Sequence, residues 1–374
     1  MNIKPPAEPG MAFSDIDTPS LVVDLDAFER NLEIMAARVT EAGVRLRPHA
    51  KTHKSPWVAL QQIARGAVGI CCQKVSEAEI MVDGGVHDVL VSNQVVGAAK
   101  LDRLAALNQQ AQVAVCIDHI DAVAEIAAAA ANQNVIINTL VEIEVGGGRC
   151  GVAPGVAALN LARAIADDKH LHFAGLQGYH GKAQHFRGLN ERRDAIAEAT
   201  RLTAETVELL AQDGLACEII GGAGTGTFEF EAASGVYNEL QAGSYAFMDA
   251  DYARNRDADI FEHALFVCAA VMSRPNQQTA VVDAGHKAAS IDSGLPVPWG
   301  LAGSEMSGMS DEHGVIDITT VNEKPARGDK ILLIPGHCDP TVNLHDWYVG
   351  VRGLHGADAC VETVWPVAAR GALF

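Results

Sequence analysis

From residue 44 to residue 241 the chain repeats one unit, a short apolar run followed by a longer stretch of helical character. Apolar runs at 44–48, 69–72, 88–92, 113–117, 135–143, 173–177, 218–220 and 239–241 read as strands. Segments 55–65, 76–83, 98–107, 122–131 and 189–212 read as helices, and the alanine-rich window 122–131 favours helix on propensity alone. The gap between 220 and 239 carries the weakest helix signal. A strand that alternates with a helix pairs in parallel with its successor. Eight such units in about 200 residues predict an α/β fold, a closed TIM-like (β/α)8 barrel of the kind that typically takes ~250 residues.

Both flanks depart from this rhythm. Before the barrel, residues 20–24 read as a strand and 25–42 as a long helix. After residue 252, runs at 264–273, 279–283, 314–319, 330–335, 347–351 and 361–367 read as strands with turns between them and no strong helix, which predicts an antiparallel β domain. The expected division is 1–25 as an N-terminal arm and strand packing with the β domain, 26–252 as the barrel, and 253–374 as the C-terminal β domain. Residues 253–259, with two Arg and two Asp, form the expected joint.

Lys and Arg total 28 against 47 Asp and Glu, a net charge of −19. That balance argues against nonspecific nucleic-acid or anionic-membrane binding, so neither is an expected partner. No stretch approaches the roughly 20 apolar residues of a membrane span. The N-terminal MNIKPPAEPGMAFSD lacks the apolar core of a secretory signal and reads as an extended arm. The eight cysteines are scattered without a C-x-x-C pair, so they read as reduced thiols of a cytoplasmic protein.

In such barrels the chemistry gathers at the C-terminal ends of the strands. Here those ends run into PHAKTHK, QKVSEA, GGGRCG, GYHGKAQH, GGAGTGT and AGSYAF. Glycines in GGAGTGT let backbone N–H groups approach an anion, and barrel phosphate sites commonly use the loops after strands seven and eight, here residues 221–227 and 243–245. Tight turns would need the same glycines. A nucleophilic lysine should have its pKa depressed by cationic or apolar neighbours. Of Lys51, Lys54, Lys74 and Lys182, Lys51 follows a strand directly and lies between His49 and His53, whereas Lys54 begins the next helix and reads as solvated. In the β domain, His337 and Asp339 stand two apart, which places both on one side of a regular strand with Cys338 on the other. An imidazole with a carboxylate suits a divalent ion such as Mn²⁺ or Mg²⁺. A hydrogen-bonded turn ended by Pro340 accounts for the same spacing.

The ordered motifs TPSLVVDLDAFERN, RPHAKTHK, ICCQKVSEAE, VEIEVGGGRCGV, GLQGYHGKAQH, GGAGTGT, ELQAGSYAFMDADY, VVDAGHKA, SDEHGV and PGHCDPTVNLHDWYVGVR run nearly end to end. In these the chain resembles the D-threonine aldolase and 3-hydroxyaspartate aldolase group, relatives of eukaryotic-type D-serine dehydratase with the alanine-racemase-like (type III) pyridoxal-phosphate fold. The resemblance implies pyridoxal 5'-phosphate carried by Lys51 as a Schiff base. It implies Gln73, Arg149 and Tyr179 around the cofactor ring, with Arg149 near its phenolic oxygen. It implies a phosphate cradle of Gly224, Thr225, Gly226, Gly243, Ser244 and Tyr245, and a divalent metal (Mn²⁺ or Mg²⁺) on His337 and Asp339. Relatives often read GGGTGS where this chain has Ala223 and Thr227, which are mild changes. Dehydratases of the family resemble one another in a His-x-Cys pair, so Asp339 is the aldolase-like form.

The implied reaction is retro-aldol cleavage of a D-3-hydroxy amino acid to glycine and an aldehyde, with a metal-bound water or a histidine such as His185 as base. The substrate is of D-threonine type, or 3-hydroxyaspartate, whose second carboxylate would call for an extra cation from Lys182, Arg187 or Lys287. Dehydration of D-serine or 3-hydroxyaspartate, racemisation, and a non-catalytic cofactor carrier are the competing readings. A homodimer is implied by the resemblance alone.

Overall fold

A computed structural model describes residues 4–256 and 259–374. Residues 1–3 of the expected arm and 257–258 of the expected joint lie outside the described residues. Strand β1 (Ser20–Asp24) leads directly into helix α1 (Leu25–Ala42). The Asp24 carboxylate starts that helix by accepting the N–H groups of Asp26 and Ala27, and Gly43, at φ 68°, ends it.

The barrel strands are β2 (Arg45–Leu46), β3 (Ile70–Cys72), β4 (Asp88–Val91), β5 (Gln112–Ile117), β6 (Ile137–Glu142), β7 (Leu171–Gln177), β8 (Ile219–Gly222) and β9 (Glu239–Leu240). Helices α2 (Pro56–Ile63), α3 (Val75–Asp83), α4 (Ala98–Leu107), α5 (Ile120–Gln133), α6 (Val156–Ala166), α7 (Leu189–Gln212) and α8 (Phe228–Ala233) separate them. All eight strands pair in parallel, in the order β2-β9-β8-β7-β6-β5-β4-β3. The seam between β2 and β3 is closed by a parallel bridge from His49 to Cys71 and by the Cys71 N–H on the Pro48 carbonyl at 2.8 Å. Cys71 and Cys72 are fully buried there.

The second lobe holds β10 (Leu265–Ser273), β11 (Thr279–Val282), β12 (Val297–Trp299), β13 (Glu305–Met309), β14 (Gly314–Asp317), β15 (Lys330–Ile334), the short helix α9 (Cys338–Val342), β16 (Trp347–Arg352) and β17 (Cys360–Pro366). Its sheet is mixed, where the sequence predicts an antiparallel one. The reason is β1, which inserts between β10 and β16 and runs antiparallel to the first but parallel to the second. Strands β12 and β13 escape the sequence reading. Pro298 interrupts β12, which an edge position next to β15 tolerates, and β13 reads EMSGM with a register shift between Met306 and Gly308.

The lobes share one core. Ring contacts run from Phe28 on α1 to Phe247 at 5.9 Å, then to Tyr348 at 5.8 Å and Trp365 at 5.1 Å, and Trp57 of α2 stacks on Trp365 at 4.1 Å. Tyr348 also donates its hydroxyl to the His53 carbonyl at 2.7 Å. The turn after β2 is thereby fixed against β16, and that fixes the distance between the two halves of the site.

Candidate functional site

Lys51 occupies a single helical turn, Ala50–Thr52, directly after β2. His49 starts that turn, with Nδ1 accepting the Lys51 N–H at 3.3 Å. Its Nε2 lies 2.8 Å from Gln73 Nε2 and 3.2 Å from Ser92 Oγ. Burial holds the His49 imidazole well below its ordinary pKa, with the Lys51 charge adding to the effect, so the ring is neutral.

A cavity opens over this turn. It brings together Lys51, Gln73, Arg149, Tyr179, Gly224, Thr225, Gly243 and Ser244. Arg149 reaches it from the loop at 146–149, which wraps around the Glu144 carboxylate. That carboxylate accepts the N–H groups of Gly146, Gly148 and Arg149. The guanidinium lies 5.6 Å from the centre of the Tyr179 ring, within cation–π range, and 3.8 Å from Glu142.

Residues 223–225 and 243–244 close the other side. The backbone N–H groups of Gly224, Thr225 and Ser244 have no protein acceptor among the described residues. Three unpaired donors around a cavity that also presents the Lys51 amine suit a phosphorylated aldehyde such as pyridoxal phosphate. The glycines have a packing reason as well. A Cβ at Gly224 would come within 2.5 Å of Gln184 Oε1, and one at Gly243 within 2.7 Å of the His49 carbonyl. Ala223 is a larger departure than its sequence suggests. Its φ of 70° is left-handed, a region in which a methyl is strained and glycine is not.

Five residues of the sequence-derived set do not line this cavity: Gly226, Tyr245 and His185, and the second-lobe pair His337 and Asp339. Gly226 lines a neighbouring one of about 430 Å³, and its N–H is taken by Gln184 Oε1. Tyr245 is buried, with its N–H on Thr225 Oγ1 and its hydroxyl accepting from Gln62. His185 lies to one side, with Nδ1 2.5 Å from Asp251 Oδ2 and its ring 5.6 Å from that of Tyr252, which does line the cavity. Lys54, read as solvated, is buried at φ 49° and ion-paired with Glu77, whose other oxygen accepts the Gln73 N–H at 2.9 Å. Of the cations suggested for a second carboxylate, Arg187 is bound to Asp251 and Lys287 to Glu312.

His337 and Asp339 belong to the second lobe, and Asp339 meets the cavity through its contact with Lys51. They lie at the start of α9 and not on a strand, because the chain leaves the sheet at Ile334 and Pro340 falls in the first helical turn, where no N–H is needed. Cys338 still points away, donating to the Met248 carbonyl at 3.2 Å. His337 Nε2 is 4.0 Å from Asp339 Oδ1, which is buried with no hydrogen-bond partner among the described residues. A buried carboxylate oxygen beside an imidazole nitrogen could hold a divalent cation as two protein ligands; among the described residues no third His, Cys, Asp or Glu joins them. The other oxygen, Oδ2, is 3.5 Å from Lys51 Nζ. Asp339 holds the Lys51 amine above the ordinary lysine range, where the sequence reading expected depression; burial and Arg149 pull the other way.

Sequence reasoning missed His49, Ser92, Gln177, Gln241 and Tyr252. The first four end or follow barrel strands, so the strand-end rule holds their signal. Gln177 and Gln241 pair their amides across the cavity floor at 2.7 and 2.8 Å.

Comparisons with known proteins match this geometry. The model described as "Alanine racemase, N-terminal domain" covers residues 23–251, and "Putative serine dehydratase domain" covers residues 264–351. D-threonine aldolase of an Arthrobacter species is 46% identical over 99% of this chain and 97% of its own. The 3-hydroxy-D-aspartate aldolase of Paracoccus denitrificans is 48% identical over 98% of this chain and 95% of its own. The crystal structure of D-threonine aldolase from Filomicrobium marinum superposes with a TM-score of 0.96 at 52% identity, covering 99% of this chain and 100% of that one. The chain belongs to the D-threonine aldolase and 3-hydroxyaspartate aldolase group. That group's alanine-racemase-like fold accounts for a barrel carrying the glycine loops and a second lobe carrying the His–Asp pair.

Proposed function

We propose that this aldolase-group protein cleaves a D-3-hydroxy amino acid of D-threonine type to glycine and an aldehyde, using pyridoxal 5'-phosphate and a divalent metal, Mn²⁺ or Mg²⁺. The carrying observation is the 3.5 Å approach of Lys51 Nζ to Asp339 Oδ2. It supports the reading because an amine that carries the cofactor and a carboxylate that holds the metal would need to lie together to act on both Cα and the β-oxygen of a substrate. When bound, the cofactor takes up the electron pair left on Cα and the metal lowers the pKa of the β-hydroxyl.

The chain's own residues do the rest. Gly224, Thr225 and Ser244 hold the phosphate through backbone N–H groups, assisted by Gly226, Gly243 and Tyr245, which shape the two loops. Gln73, Arg149 and Tyr179 orient the ring. The base for the β-hydroxyl proton is either a water or His185, which is braced on Asp251 and packs on Tyr252 at the cavity wall. His337 and Asp339 hold the metal. We place the protein in the cytoplasm as a homodimer; among the described residues no helix is long and apolar enough to cross a membrane.

A second reading, 3-hydroxyaspartate as the natural substrate, is favoured by the 48% identical relative. Dehydration is disfavoured by Asp339, which replaces the dehydratase cysteine. The test is to incubate the protein with D-threonine and with D-3-hydroxyaspartate in the presence of Mn²⁺ and identify the products. Glycine with acetaldehyde or glyoxylate is expected; ammonia with a keto acid would overturn the proposal.

A further inference from the structure

We propose that Asp292 is a positioning residue for the metal, fixing the His337 tautomer so that Nε2 offers its lone pair to the cation. This rests on the reading of His337 and Asp339 as the metal pair. Asp292 lies in the connection between β11 and β12, 45 residues before His337. Its Oδ2 stands 2.8 Å from His337 Nδ1. A neutral imidazole carries one N–H, and a carboxylate accepts but cannot donate. In the neutral ring that a metal needs, the hydrogen is therefore on Nδ1, and Nε2 keeps its lone pair.

Nε2 is the nitrogen that faces Asp339 Oδ1 at 4.0 Å. In that form the two lone-pair atoms, one of them a buried oxygen without a partner among the described residues, are spaced to share a cation. Asp292 is on the opposite side of the ring, so it cannot itself be a ligand to the same ion. It is held in place by Ser290 Oγ, which donates to Oδ1 at 2.8 Å, and by Ser293 Oγ, which donates to Oδ2 at 3.1 Å. From the barrel side, Asp249 accepts the Cys338 N–H at 2.9 Å and fixes the backbone between the two ligands. His337 is thus set by a loop of its own lobe and its backbone by the barrel. Carboxylate partners of this kind orient the ligating imidazole and raise its basicity, and their loss commonly weakens metal binding 10–100-fold.

The test uses full-length protein loaded with pyridoxal phosphate and stripped of metal, titrated with Mn²⁺ by calorimetry and by loss of the free-ion EPR signal. Asp292→Ala should raise the Mn²⁺ Kd about 10–100-fold, with Asp292→Asn intermediate because its amide oxygen still accepts. The melting temperature of the metal-free protein and the cofactor's visible absorption should match the parent in both variants. Mn²⁺ affinity unchanged in both variants, while His337→Ala loses it, would overturn the role of Asp292 and leave the metal pair standing. Affinity unchanged in His337→Ala would overturn the pair itself and Asp292 with it.

Discussion

Glu231 shows how one buried side chain writes a pH dependence into the molecule. It lies in α8, directly beyond the glycine-rich loop at 221–227. One oxygen accepts from Thr227 Oγ1 at 2.9 Å and the other has no partner among the described residues. Burial pushes its carboxyl up to about 7. The folded protein therefore keeps a proton that the unfolded chain, with a carboxyl near 4.5, releases. Stability from this group is complete below pH ~4.5 and declines as pH rises towards ~7, by an amount on the order of 3 kcal/mol. Glu231→Gln should flatten that decline, as measured by denaturant melts at pH 5, 6, 7 and 8; an unaltered slope would refute it. Asp339 and Lys51 illustrate the same scale from the side of legibility. Each stood out in the sequence as a residue of the right type in the right place, but their 3.5 Å contact joins two lobes and no spacing rule reaches across 288 positions of chain.

Among the elements, those with strong periodicity could be read directly. Helix α1 and strand β1 stand where the pattern of apolar residues puts them, and every barrel strand was recognised, although β2 and β9 shrink to two paired residues each. Elements whose shape depends on a single backbone position were not. For the His337–Asp339 pair the sequence left a strand and a turn ended by Pro340 both open, and the structure has the turn, while β12 and β13 carry a proline and a serine–glycine step where apolar alternation should be. The loop bearing Arg149 is of this second kind. Gly146 has φ 119°, and a Cβ there would meet His180 Nε2 at 2.4 Å, whereas a Cβ at Gly147 meets nothing closer than 3.4 Å. Gly146→Ala should cost about 2 kcal/mol of stability and loosen cofactor retention through displacement of Arg149, while Gly147→Ala should be near neutral in both. Equal melting temperatures and equal cofactor affinities for the two variants would contradict this account.

Across the whole molecule, the proposed cofactor cradle belongs to the barrel and the proposed metal pair to the second lobe, and the Phe28–Phe247–Tyr348–Trp365 ring column joins the two lobes. Metal and cofactor should consequently be separable. Exhaustive chelation should lower aldol cleavage about tenfold or more while the cofactor's visible absorption persists, and added Mn²⁺ should restore turnover. Full cleavage activity in protein verified as metal-free by elemental analysis would rule this out.

The insertion of β1 between β10 and β16 has a consequence for biosynthesis. Leu21, Val22 and Val23 have no exposure in the finished fold, yet the strands that cover them are made more than 200 residues later. At about 5–20 residues per second a ribosome takes on the order of tens of seconds to deliver those partners. For that interval the first apolar strand of the nascent chain has no sheet to join. A barrel truncated after residue 252 would keep that strand permanently without its partners, as an open edge for another chain to pair with.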